Sequence, residues 1–310
     1  MKTEGFTFCG QGETEISVCK WSPDIVADRK AAVILVHGMA ETAARYERFA
    51  AALTAAGFAV YALDLRGHGR TAKRAENMGY LGQGDGFEMM LGDLRHLHGM
   101  VREENRQDLP LFLFGHSMGS FLVQGYVSRY GKELKGVVLS GTAGKFGWLL
   151  YPALAIAAVE MKIRGRRARS RLLNRIIFGG FNRQFRPNRT AFDWLTSDAA
   201  EVDRFINDPY CGYTFSTSFF RDFFLFLLKI HTVESLGAIP RDLPVYIFSG
   251  DRDPVGRNTK SVLQLIRMYR EAGLRDVTST FYRGGRHEML HEVNREEVAN
   301  DILCWLHEHC

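Results

Sequence analysis

Short apolar runs and stretches of helical spacing alternate through the first half of the chain. Thr14 to Trp21 alternates apolar and polar residues, the mark of a half-exposed strand. Ala32-Val33-Ile34-Leu35-Val36 is apolar throughout and predicts a strand covered on both faces. Arg45 to Ala56 has helical period and stops at Gly57, a residue suited to a helix C-terminus. Phe58 to Leu63 predicts a second buried strand, and Gly86 to Glu103 a second helix. Leu111-Phe112-Leu113-Phe114 predicts a third buried strand, followed at once by a helix from Met118 to about Tyr130. Gly136 to Ser140 predicts a fourth. Continuous apolar strands separated by helices indicate a mostly parallel central sheet flanked by helices, an α/β fold.

The pattern breaks after Ser140. From Thr142 to Leu236 no strand stands out, only helical and aromatic segments. Strands resume at Val245 to Ser249 and Val277 to Tyr282, and a helix from Glu296 to about His307 closes the pattern. The expected organisation is therefore one sheet domain in two parts, 1–141 and 237–310, interrupted by a helical insertion at 142–236.

Composition narrows the classes. With 46% hydrophobic and 24% charged residues over 310 positions, most of the chain should fold rather than stay disordered. The longest apolar stretch, Trp148 to Val159, is shorter than the ~18 residues a spanning helix needs, and Pro152 interrupts it. Met1 to Gly10 has no apolar segment of a secretory signal. Five scattered cysteines with no Cys-x-x-Cys pair suit a reducing cytoplasm better than a disulfide framework or a thiolate zinc site.

Candidate chemistry centres on Gly115-His116-Ser117-Met118-Gly119, set between a buried strand and a helix. Gly-x-Ser-x-Gly in that context is a nucleophile elbow, in which a sharp turn projects the serine and the following helix points its amides at a developing oxyanion. A serine nucleophile needs a base, and the base an orienting acid. His287, after Gly284-Gly285-Arg286 and the last strand, is the favoured base. The acid is Asp251 or Asp253, in Gly250-Asp251-Arg252-Asp253-Pro254 after the strand ending at Ser249; the tight turn projects Asp253 better. His37-Gly38-Met39, after the first buried strand, is expected to give the Met39 amide to an oxyanion hole, with the Met118 amide as the second donor. His68, in Arg66-Gly67-His68-Gly69-Arg70, reads as structural.

A competing motif overlaps the base. His287-Glu288-Met289-Leu290-His291 matches His-Glu-x-x-His, which on a helix holds zinc with the glutamate as base. Here the first histidine follows Gly-Gly after a strand, so a loop is expected and no metal site. A non-catalytic ligand-binding scaffold is the other class left open, and the apparent triad counts against it.

Taken in order, His37-Gly38-Met39, Asp64-Leu65-Arg66-Gly67-His68-Gly69, Gly115 to Gly119, Gly250 to Pro254 and the His287 loop resemble the α/β-hydrolase family of monoacylglycerol lipases and lysophospholipases. The resemblance extends to Asp208-Pro209-Tyr210-Cys211-Gly212. It implies the α/β-hydrolase fold, the triad Ser117, Asp253 and His287, oxyanion amides from Met39 and Met118, a helical lid, no cofactor and a lipid ester substrate. Relatives with similar motifs include peptidases, thioesterases and other carboxylesterases, so a small non-lipid substrate is the alternative.

Two features of the insertion extend that expectation. Phe178 to Phe226 contains eleven of the 22 phenylalanines, and the excess, including the run from Phe219 to Phe226, suits an apolar tunnel. Lys162 to Arg189 carries ten basic residues and no acid; removing those ten from the net +5 leaves the rest of the chain at −5. Such a block with Ile163, Leu172, Leu173, Ile176 and Ile177 packed inward and arginines outward suggests peripheral contact with an anionic membrane. No nucleic-acid recognition motif accompanies it.

Overall fold

The computed structural model describes residues 1–25, 29–105 and 108–310. Eight strands, β1 (Lys2–Cys9), β2 (Glu15–Ser22), β3 (Ala31–Val36), β4 (Phe58–Leu63), β5 (Leu111–His116), β6 (Gly136–Ser140), β7 (Val245–Gly250) and β8 (Val277–Tyr282), form one sheet. Their spatial order is β1-β2-β4-β3-β5-β6-β7-β8. β1 and β2 pair antiparallel, β2 runs antiparallel to β4, and every later pairing is parallel. This is the α/β-hydrolase fold.

The helices are α1 (Glu47–Ala55), α2 (Gly69–Ala72), α3 (Gly86–Glu104), α4 (Met118–Tyr130), α5 (Leu150–Arg164), α6 (Arg171–Phe178), α7 (Ala199–Asn207), α8 (Thr217–Lys229), α9 (Val233–Gly237), α10 (Lys260–Glu271) and α11 (Arg295–Glu308). Alternation along each buried strand sorts its side chains between two cores. Ala32, Ile34 and Val36 of β3 join the layer under α3, α4 and α10, while Val33 and Leu35 join the layer under α1 and α11. Both faces are dry, which is why β3, β4 and β5 are buried at every position.

Five helices, α5 to α9, lie between β6 and β7 with no strand among the described residues, only an isolated bridge between Arg169 and Ser216. α8 corrects one expectation. Phe219, Phe220, Phe223, Phe224 and Phe226 are buried in the main core. Phe223 and Phe226 stack on Phe87 of α3, and Phe223 also meets Phe121 of α4. That run seats the insertion on the sheet domain instead of lining a tunnel. The strand β1 has no counterpart in the sequence reading, because only Phe8 of its eight residues is buried.

Candidate active site

The strand–turn–helix joint between β5 and α4 leaves no room for side chains around Ser117. A Cβ at Gly119 would lie 2.1 Å from the Val36 carbonyl, and one at Gly115 would lie 2.7 Å from the Gly119 carbonyl. Ser117 itself has φ 51° and ψ −119°, a conformation that L-residues hold only where the surroundings enforce it. Its amide donates to the Ser140 carbonyl at 2.9 Å, and the Ser120 hydroxyl donates to the Ser117 carbonyl at 2.6 Å. The elbow is thus held from β6 and from the first turn of α4.

The loops after β7 and β8 bring Asp253 to His287. The imidazole Nδ1 is 3.0 Å from each carboxylate oxygen, and both side chains are buried. Asp253 also accepts from the Val255 amide at 2.9 Å and the Ser249 hydroxyl at 3.3 Å. Burial alone would lower the His287 pKa, but the charge and hydrogen bond of Asp253 outweigh it and raise the value. Asp251 goes elsewhere: its carboxylate accepts from the Gly284 amide at 2.8 Å. Of the two aspartates left open by the sequence, Asp253 meets the imidazole.

Next to His287 lie two aromatic rings, Trp194 at 5.1 Å and His116 at 4.8 Å between centroids. Burial, then the neighbouring His287, push the His116 pKa down to about 4, so His116 stays neutral near pH 7. His68 is buried, with Nδ1 2.8 Å from the Arg66 carbonyl, and its pKa is driven well down by burial and then by His37. It packs on Phe215, the structural role expected of it.

The loop after β3 is fixed at both ends. The Gly38 amide donates to Glu41 at 2.5 Å, and the Ala40 carbonyl accepts from the Gly212 amide of the insertion at 3.0 Å. Among the described residues no acceptor is found for the Met39 amide, which lies between these anchors. Met118 is the first residue of α4, where amides have no intrahelical acceptor.

Under this loop lies a buried ion cluster that sequence reasoning missed. Arg45 donates to Glu41 at 2.6 Å and clasps both oxygens of Glu288 at 2.7 Å each. Tyr46 donates to Glu41 at 2.8 Å. Burial would raise the Glu288 pKa, yet Arg45 holds the carboxyl below the usual carboxylate range. The only sequence signal was the spacing Glu41 to Arg45, four residues apart at a helix start, which is too common to single out. The cluster also accounts for the His-Glu-x-x-His pattern. Met289–His291 is a single 3-10 turn, Glu288 is bound to Arg45, and His291 faces the Arg45 carbonyl at 3.2 Å. The two histidines therefore do not share a helix face.

A cavity of about 400 Å³ opens over Ser117 and His287. Its walls include Met39, Phe178, Phe192, Trp194, Phe205 and Phe215, with polar Asn174, Arg175 and Asn182 from the insertion. Volume and apolar walls suit a small organic ligand held by few polar contacts.

Comparison with known proteins follows the same lines. Over 304 residues the chain is 28% identical to a monoacylglycerol lipase of Mycolicibacterium smegmatis, covering 98% of this chain and 96% of that one. A monoglyceride lipase of Mus musculus is 27% identical, over 91% of this chain and 82% of the other. A thermostable carboxyl esterase from Bacillus coagulans in complex with glycerol superposes with a TM-score of 0.91 at 28% identity, with 99% of each chain covered. Residues 27–294 match the family described as serine aminopeptidase, S33. The chain belongs to that family, as an α/β-hydrolase resembling the monoacylglycerol lipases.

Proposed function

We propose that this carboxylic ester hydrolase cleaves esters of single-chain lipids, a monoacylglycerol or lysophospholipid, through an acyl-enzyme on Ser117. The observation that carries the reading is the Asp253–His287 pair opening, with Ser117, on an aromatic-walled cavity. Ser117 attacks the ester carbonyl while His287 takes its proton, and Asp253 fixes the imidazole tautomer and stabilises the imidazolium. The Met39 and Met118 amides receive the oxyanion. His287 then protonates the departing alcohol and draws a proton from the water that releases the acid. No cofactor enters these steps.

The segment 142–236 acts as a helical lid, with Phe178, Phe192 and Phe205 walling the acyl site. No described helix is long and apolar enough to cross a membrane. Five free cysteines suit the cytoplasm, with peripheral contact between the lid and an anionic membrane. The test is a fluorophosphonate probe and an ester panel graded in acyl length and head group, with peptide and thioester arms. Labelling lost in Ser117→Ala, together with a preference for long acyl chains, is the expected result. Preference for short esters or for N-terminal amino-acid amides would transfer the enzyme to the non-lipid esterases or the aminopeptidases.

A further inference from the structure

The insertion is not uniform. On α5 and α6, Ile163, Leu172 and Ile176 are exposed, the reverse of the orientation expected from the sequence. Past α8 the chain turns inward, and His231 begins a line of polar side chains that ends at the nucleophile turn. His231, Gln124, Thr142 and Ser120 are each no more than 4% exposed. The imidazole Nε2 of His231 is 2.7 Å from Oε1 of Gln124, on α4. The Gln124 amide nitrogen lies 2.8 Å from the Thr142 hydroxyl and 3.3 Å from the Ala143 carbonyl. The Thr142 and Ser120 hydroxyls are 2.8 Å apart, and Ser120 reaches the Ser117 carbonyl at 2.6 Å.

Each direction in this line is fixed by its neighbour. The Ser117 carbonyl can only accept, so it takes the single Ser120 proton, and Thr142 must donate to Ser120. The Ala143 carbonyl also only accepts, which turns the Gln124 amide nitrogen toward Thr142. Oε1 of Gln124 then faces His231, whose proton is on Nε2. Nδ1 of that ring is buried with no partner among the described residues. Burial, then the charge of Lys145, push the His231 pKa down to about 4, so the ring is neutral near pH 7. The donors therefore all point one way, from the end of α8 to the catalytic turn.

We infer that His231, Gln124, Thr142 and Ser120 are positioning residues that polarise the peptide joining Ser117 to Met118. The carbonyl that receives the Ser120 proton and the Met118 amide are the two ends of that one peptide group, and resonance couples them. A donor at the oxygen draws electron density from the nitrogen and makes the N–H a stronger donor. Bonds chained in one sense reinforce each other by about 10–30% apiece. The carbonyl also accepts from the Ser120 and Phe121 amides at 2.9 Å and 3.3 Å, the ordinary bonds of a first helical turn. The side-chain relay is what this sequence adds to them. It begins at His231, between α8 and α9, so the seat of the insertion bears on the strength of the amide. The purpose of a stronger Met118 donor rests on the reading of that amide as an oxyanion donor; the relay itself does not.

Ser117-Met118 is the only Ser-Met step in the sequence. Full-length protein carrying carbon-13 at serine carbonyls and nitrogen-15 in methionine therefore gives one carbonyl–amide NMR correlation, that of this peptide. Ser120→Ala removes the bond to the carbonyl, and Thr142→Val removes the relay hydroxyl at constant volume. Thr142→Ser keeps the hydroxyl without the methyl group. The carbonyl carbon and the amide proton should both move upfield in Ser120→Ala and Thr142→Val, less in His231→Phe, and return in Thr142→Ser. On a short soluble ester, kcat should fall about tenfold in Ser120→Ala and about threefold in Thr142→Val with KM unchanged. That is well short of the roughly 10²–10³ for outright loss of an oxyanion donor. Affinity for a trifluoromethyl ketone, which forms an oxyanion on the serine, should fall by the same factors. A resonance unmoved in both Ser120→Ala and Thr142→Val overturns the relay. So does equal displacement in Thr142→Val and Thr142→Ser, which would reduce it to packing. A displaced resonance with rate and ketone affinity unchanged keeps the relay and removes Met118 from the oxyanion hole.

Discussion

The floor of the active site and the insertion above it are held by opposite means. Below, buried charge is matched by buried charge: Arg45 joins the loop after β3 to the loop after β8 through Glu41 and Glu288. Above, α8 is seated by phenylalanine packing against α3 and α4, while α5 and α6 leave apolar side chains in water. Ion clusters of this kind fix geometry more than they stabilise, because desolvation offsets much of the attraction. Apolar packing stabilises without specifying a hydrogen-bond direction. The part that carries the His287 loop uses the first; the part that covers the cavity uses the second.

Breaking the floor should have the largest effects. Asp253→Asn should cut kcat by about 10⁴, the scale of a neutralised triad acid, and Asp251→Asn far less. Steady-state kinetics of the two variants decide it, and equal losses would undo the assignment. Arg45→Met leaves two buried carboxylates without their cation and should cost about 3–5 kcal/mol in urea denaturation. Within the insertion, Phe223→Ala should cost a similar ~3–5 kcal/mol with the acyl preference unchanged. Phe178→Ala should do the reverse, raising KM for long chains with little loss of stability. A comparison of the two variants by melting and by the ester series separates core from acyl wall.

The pH profile sharpens the same contrast. Asp253 raises the His287 pKa, and the base must be neutral, so kcat/KM should rise with pH through a midpoint above the usual imidazole value of about 6.5. In Asp253→Asn the residual activity should show a lower midpoint, because burial is then opposed only by the charges of Glu288 and Glu41. The smallest expected effect is none: EDTA should leave the rate unchanged, since Glu288 is committed to Arg45. Loss of activity restored by zinc would reopen the metallopeptidase reading.

The legible part of this protein is its sheet. Strands buried on both faces leave uninterrupted apolar runs, and β4 and β6 begin and end where those runs do. The site was legible where a motif sits at a strand end, as with Ser117 and His287. Edge strand β1 was not, since only Phe6 and Phe8 of its eight residues meet the core, an alternation too short to single out. Nor was the orientation of the basic block. Arg169 looks like a surface charge in sequence, and only the approach of Ala75, Glu76, Met78 and Thr214 gives its guanidinium four carbonyls to satisfy. α10 was overlooked although Val262, Leu265, Ile266 and Tyr269 mark one helical face.

The hydrogen bond from the Gly212 amide to the Ala40 carbonyl has a thermodynamic corollary. Met39, next to Ala40, is the proposed oxyanion donor and lines the cavity, and Gly212 belongs to the segment between β6 and β7. The two share a boundary, so any preference of one for a particular placement is a preference of the other. By reciprocity, an adduct that orders the Met39 amide must favour this seat of the insertion by the same factor that the seated insertion favours the adduct. Reactivity and closure are then one equilibrium seen from two ends.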